Sequence, residues 1–232
     1  FTSIEDYLRF VKKEVISQTS SLFPLHDEFF NEDIHPEDME FDIRFVGDRF
    51  KDSVQQDHYV NLLAAVSSHN NESNIPGREL RWMIYEKNTD KVLGFIRFGS
   101  PTINSKPRNL WLGQPANLSL MNRHTAMGFV IVPSQPFGYN FLGGKLVAML
   151  LSDESLRQHW KKTYGDELVG LTTTALYGVH SMYNGIPLWK TLGESAGKIA
   201  LKPDDSVYKP WLDWMKDERA DDYKRIMTPK EG

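Results

Sequence analysis

Between Gly128 and Leu151 the chain carries the residue types of an anion-binding turn. Residues 128–132 are apolar and largely β-branched, which predicts a buried strand. Pro133 and Pro136 stop it, and Leu142, Leu146, Met149 and Leu150 then recur at helical spacing. A helix that starts just beyond a strand end aims unpaired backbone N–H groups and the positive end of its dipole at the sheet edge, where a phosphate or pyrophosphate can sit. The turn residues Gln135, Phe137, Gly138, Tyr139, Asn140, Gly143 and Gly144 are therefore candidate cofactor-binding positions, with Lys145 as an extra counter-charge. An ordinary strand-to-helix turn with a solvated lysine is the plain alternative.

Such a turn needs a sheet behind it, and the flanking pattern supplies one. Leu80 to Tyr85 and Val92 to Phe98 read as a hairpin around Asn88, Thr89 and Asp90. Residues 40–46 alternate as a leading strand, 168–176 form a Thr-rich strand, and 198–201 a last one. Helices are expected over 3–18, opened by Ser3 and Asp6, then over 52–69, from the turn to Leu151, over 153–164, over 187–192 and over 208–227. Trp211 and Trp214 sit three apart in the last of these and read as docking residues. Residues 26–40 and 99–118 look like loop, and 70–77 like a linker. The result is an α/β class, an α+β mixed sheet. It divides into an N-terminal extension (1–77), a core (78–208) and a helical tail (209–232).

Composition bounds the chemistry. The chain has 232 residues, 40% hydrophobic and 25% charged, which is the profile of a soluble globular protein. There is no cysteine, which removes disulfides, thiolate metal sites and a cysteine nucleophile and fits a cytosolic protein. No apolar run approaches membrane-spanning length, and the start lacks a signal pattern. The first residue is Phe1 rather than Met, the expectation for a trimmed or processed product. Net charge is −4, but it is unevenly spread. Asp27 to Asp42 holds eight acidic residues and no Lys or Arg, whereas 97–125 holds Arg97, Lys106, Arg108, Arg123 and His124 and no acid. The second stretch is a candidate polyanion-facing surface.

Two resemblances sharpen these expectations. Gln135 and Gly138 match the start of the Arg/Gln-x-x-Gly-x-Gly/Ala turn with which GNAT acyltransferases hold the pyrophosphate of acetyl-CoA; Asn140 departs from it. The order of elements is also that of a GNAT core. The segment from Arg78 to Tyr208 resembles the Mom family of phage DNA-modification proteins and the related Druantia-type GNAT-like domains. The residues carrying this are Leu93 to Gly99, Asn117, Leu118, Asn122, Phe129 to Pro133, Trp160 to Gly165, and Tyr183 to Gly197.

The resemblance implies a GNAT-like fold, an acetyl-CoA or related acyl-CoA donor, and addition of a carbamoylmethyl-type group to the exocyclic amine of adenine in phage DNA, which protects it from restriction. Tyr183 follows the 168–176 strand, where GNAT proteins often place the tyrosine that protonates the leaving sulfur. A phenol with pKa near 10 can do this at neutral pH. His180 and His124 are candidate bases, because imidazole titrates near working pH, and Ser181 a candidate for orienting a proton. A double-stranded DNA partner would present a flipped adenine to Trp111, Phe137, Tyr139 or Tyr177 as stacking platforms, with Asn117 and Asn122 reading its edge. Arg97, Arg108 and Arg123 would hold phosphates. No metal site is expected, and the place of action is cytoplasm, that of the bacterial host if the protein is phage-encoded. The alternatives are a GNAT-type acyltransferase acting on a small amine, tRNA or protein, and a non-catalytic anti-restriction or binding protein on the same scaffold.

Overall fold

The computed structural model describes residues 25–30, 32, 34–48, 53–66, 77–113, 117–134, 137–140, 143–175, 181–194 and 205–227. The expected helix over 3–18, the linker 70–77 up to Pro76, and the strand over 198–201 lie outside those residues. The chain divides into two compact units, Phe1–Ser195 and Ala196–Gly232.

The larger unit holds a mixed five-stranded sheet in sequence order. Its strands are β1 (Phe41–Asp48), β2 (Glu79–Glu86), β3 (Lys91–Gly99), β4 (Thr125–Pro133) and β5 (Gly170–Thr172). β1 to β4 are antiparallel neighbours, and β5 runs parallel to β4. Alternation along β2 shows why the sheet is covered on both sides. Leu80, Trp82 and Ile84 join a core that includes Val147, Leu156 and Trp160, whereas Met83 joins one with Tyr59, Leu62 and Leu63. Helix α1 (Ser53–Val66) supplies the latter residues. Helices α5 (Gly143–Leu150) and α6 (Glu154–Tyr164) supply the former. Asp153 caps α6 by accepting from the Ser155 amide at 2.8 Å, and Gly165, at φ 76°, ends it in a left-handed conformation.

Four expectations need refinement or correction. Loop predominates in 99–118, but the stretch also contains α2 (Lys106–Trp111) and the start of α3 (Leu118–His124). Pro107 sits in the first turn of α2, where its missing N–H costs nothing. Asn117 caps α3, its side chain accepting from the Leu120 amide at 2.9 Å. The helix expected from the turn to Leu151 is split into the short α4 (Phe137–Asn140) and α5. The Thr-rich strand is only three residues long, and 187–192 forms turns rather than a helix.

The second unit contains α7 (Asp205–Glu218), with Pro210 inside it, and α8 (Ala220–Met227). Their ion pairs are local: Lys216 with Asp213, and both Arg219 and Arg225 with Asp222. Trp211 and Trp214 are exposed. No helix among the described residues is long and apolar enough to cross a membrane.

Candidate functional site

Pairing between β4 and β5 covers only Thr125↔Gly170, Ala126↔Leu171 and Met127↔Thr172, yet β4 continues to Pro133. Among the described residues, β4 has no strand partner on the β5 side beyond Met127. The Thr173 hydroxyl donates to the Gly128 carbonyl at 2.9 Å, capping the first unpaired position of β4. Tyr183 shares a hydrogen bond with the same threonine. Burial pushes the Tyr183 phenol above its ordinary 10, and the Thr173 contact only partly offsets that, so the group is held protonated.

The turn that presents Tyr183 is pinned at several points. Ser181 Oγ accepts from the Tyr183 amide at 3.1 Å, and the Asn184 amide donates to the Ser181 carbonyl at 3.1 Å. Ser181 thus positions Tyr183 through the backbone. The Tyr183 ring stacks on Trp189 with 4.8 Å between centroids, and Ile186 is buried between them in sequence. This turn lies against the start of α5. A Cβ on Gly144 would meet Met182 Sδ at 3.3 Å, and one on Gly185 would meet Lys145 Nζ at 3.7 Å. The turn carrying Ser181 and Tyr183 therefore lies beside Gly144 and Lys145, near the end of β4.

Other expected site residues are placed differently. Phe137 is 1% exposed, edge-on to Phe30 with centroids 6.1 Å apart, and so belongs to the core rather than to a ligand. Gly143 is buried because a Cβ there would meet that Phe137 ring at 2.5 Å. The Gly138 amide donates to the Ser134 carbonyl at 2.7 Å and is already spent. The expected cradle thus shrinks to the first amides of α5, which have no partner inside their own helix. Tyr139 and Asn140 fall in α4, with side chains outside the described residues; Gln135, Tyr177 and His180 also lie outside them. His124 ends α3 before β4 begins, with Nδ1 2.9 Å from the Glu167 carbonyl, about nine strand residues (roughly 30 Å) from Pro133.

The expected phosphate contacts are committed within the protein. Arg97 is fully buried, with Nη2 2.8 Å from Glu79, whose other oxygen lies 2.9 Å from Arg81 Nε. Arg108 is buried in α2, donating to Asn109 Oδ1 at 2.8 Å and to the Ile103 carbonyl at 3.0 Å. Arg123 is exposed but paired with Asp166 at 2.7 Å, a carboxylate that Arg78 also contacts at 3.2 Å. Of the base-reading candidates, Asn117 is a helix cap and Asn122 is half-buried on α3. Trp111 is 58% exposed, with Lys190 Nζ 5.7 Å from its ring. Thr173 was not singled out by sequence; its only signal is its place at the end of the Thr-rich stretch. Among the described residues no three His, Asp or Glu side chains converge as a metal site.

Comparison with known proteins identifies the family. The family model for Druantia protein DruA matches residues 51–226. A curated Druantia protein DruA from Escherichia coli (strain UMEA 4076-1) is 28% identical over 158 residues, which cover 61% of this chain. The matched stretch spans only 39% of that relative's length. No solved structure matches the chain. These matches overturn the Mom-like, phage-encoded DNA-modification reading. The chain belongs to the Druantia protein DruA family.

Proposed function

We propose that this chain is a GNAT-like acyl-group transferase module working in bacterial anti-phage defence, with its site at the open end of the sheet between β4 and β5. The defence role follows the family. The observation that carries the chemistry is the opening itself: β4 outlasts its parallel partner by six residues, and Tyr183 stands at the point where pairing stops. Strands β1 to β4 as an antiparallel series followed by a parallel β5 support the finer fold.

An acyl-CoA fits this opening in part. The first amides of α5 and Lys145 would hold its pyrophosphate, and the spent Gly138 amide makes that cradle smaller than the sequence suggests. Such a donor supplies an activated acyl thioester. As an amine attacks the carbonyl, a C–N bond forms and the C–S bond breaks. Tyr183 Oη would give its proton to the departing sulfur, and the proton lost by the attacking amine would return to the phenolate through Thr173 or solvent. The raised phenol pKa keeps that proton in place throughout the neutral range. The placement of Arg97, Arg108 and Arg123 gives no phosphate track, which favours an amine on a small molecule or protein as acceptor.

Thermal-shift titration with acetyl-CoA and longer acyl-CoAs tests the reading. Binding should raise the melting temperature of the native chain and of Tyr183→Phe alike. Acyl transfer to a mixed amine panel should fall about 10²-fold or more in the variant, the usual contribution of a general acid. If no acyl-CoA shifts the melting temperature, the transferase reading fails.

A further inference from the structure

A cavity lies on the face of the sheet that α1 covers, between α1 and the β1–β2 pair. It has a volume of about 690 Å³, within the range of roughly 300–1,000 Å³ usual for ligand pockets. Val46 and Met83 form an apolar floor, and Tyr85 adds an aromatic wall. Phe45 lines it beside the β1–β2 register shift, but its ring turns to the opposite face, against Trp82 and His159. Across the floor, α1 contributes Asp57, His58 and Asn61.

Charge decides what could fill this cleft. Its one arginine, Arg44, is neutralised twice, with Nε 2.8 Å from Asp42 and Nη2 2.5 Å from Asp90. The guanidinium also lies on the Tyr85 ring, 3.9 Å from its centroid. Asp57 adds a further carboxylate to the lining, and Glu28 adds to the negative field at Tyr85. The rim continues this bias: the Asp90 side chain is 70% exposed, the Asp42 side chain 42%, and Glu28 is exposed as well. An anion would be repelled, and a small polar molecule would leave the apolar floor uncovered. A cation on a methylene stem satisfies both, since the stem covers the floor while the head stays at the polar rim. Asp42, Asp90 and Glu28 around the rim, added to Asp57 within it, favour several cations on one chain over a single free amine.

We propose that this cleft receives a lysine or arginine side chain from a basic segment of a partner protein, its stem on Val46 and Met83 and its head beside Asp57. This assignment is independent of the transferase reading, because the two sites lie on different elements.

The test is a titration of the native chain, labelled with ¹³C-methyl methionine, with an acetylated Leu-Arg-Leu-Arg-Leu amide peptide, followed by NMR. The Met83 methyl signal, assigned with Met83→Leu, should shift saturably. Replacing both arginines of the peptide by citrulline should weaken binding at least about tenfold, and Asp57→Asn at least about threefold, as for loss of a rim charge pair. Asn61→Lys, which adds a cation at the exposed rim, should weaken it further while circular dichroism confirms the fold. An unmoved Met83 signal, or equal binding of the citrulline peptide, overturns the proposal. Agmatine binding as tightly as the peptide overturns the partner assignment and points instead to a free amine.

Discussion

Tyr183 and Thr173 act as one unit: the threonine hydroxyl closes the first open position of β4 and touches the phenol. Another pair governs pH response. His159 Nδ1 accepts from Trp82 Nε1 at 3.2 Å, and its ring stacks on Phe45 with centroids 4.4 Å apart. Burial, reinforced by Lys162, holds the His159 pKa below its ordinary 6.5. The folded chain therefore takes up this proton later than the unfolded chain as pH falls. Stability from this group is complete above about pH 6.5 and declines as pH drops from there through the lowered folded pKa. Urea midpoints measured between pH 7.5 and 5 should show the decline, and His159→Gln should flatten that part of it. Sequence alone marks Tyr183 by type and position but hides the fate of Arg97. Its carboxylate partner, Glu79, is 18 residues away and comes close only through the hairpin register that sets Arg97 opposite Arg81. A basic residue in a charge-poor stretch looks free until the strand beside it is known.

Among the elements, α5 is set by glycine. A Cβ on Gly94 would lie 2.9 Å from both the Val132 carbonyl and Val147 Cγ2, so β3, β4 and α5 meet at a point with no room for a methyl group. Gly94→Ala should cost about 1–3 kcal/mol, as overpacking does, measured by denaturant unfolding, and should push on the second turn of α5 at Val147. Helix α3 depends on Asn117 instead. Asn117→Ala should cost about 1 kcal/mol, and Asn117→Asp should restore most of it, since either side chain can accept from the Leu120 amide. A base-reading role would predict no such rescue in a chain without nucleic acid. The β2–β3 hairpin was legible from alternation and turn chemistry. Helices α2 and α3 were not, because Pro, Asn and Gly in 99–118 read locally as loop, while here Pro107 and Asn117 open helices and Gly113 follows one. The short β5 was overestimated for a related reason. Thr-rich sequence favours strand, but tertiary pairing ends after Thr172.

The whole molecule joins four antiparallel strands, each tied to its neighbour over most of its length, to a fifth tied at three positions. Mixed-sheet class was readable from the order of elements; the mismatch in length between β4 and β5 was not, because no local pattern records where a partner strand leaves. That mismatch has a consequence in time. The amides of β3, flanked on both sides and buried along most of the strand, open only when the sheet itself comes apart. Those of Gly170, Leu171 and Thr172 have β4 as their one strand neighbour among the described residues and need only a brief separation from it. In deuterium exchange followed by mass spectrometry, β5 should label while β2 and β3 remain protonated, and an occupant of the opening should slow β5 alone. The wall that carries Thr173 would then be the part of the sheet that breathes.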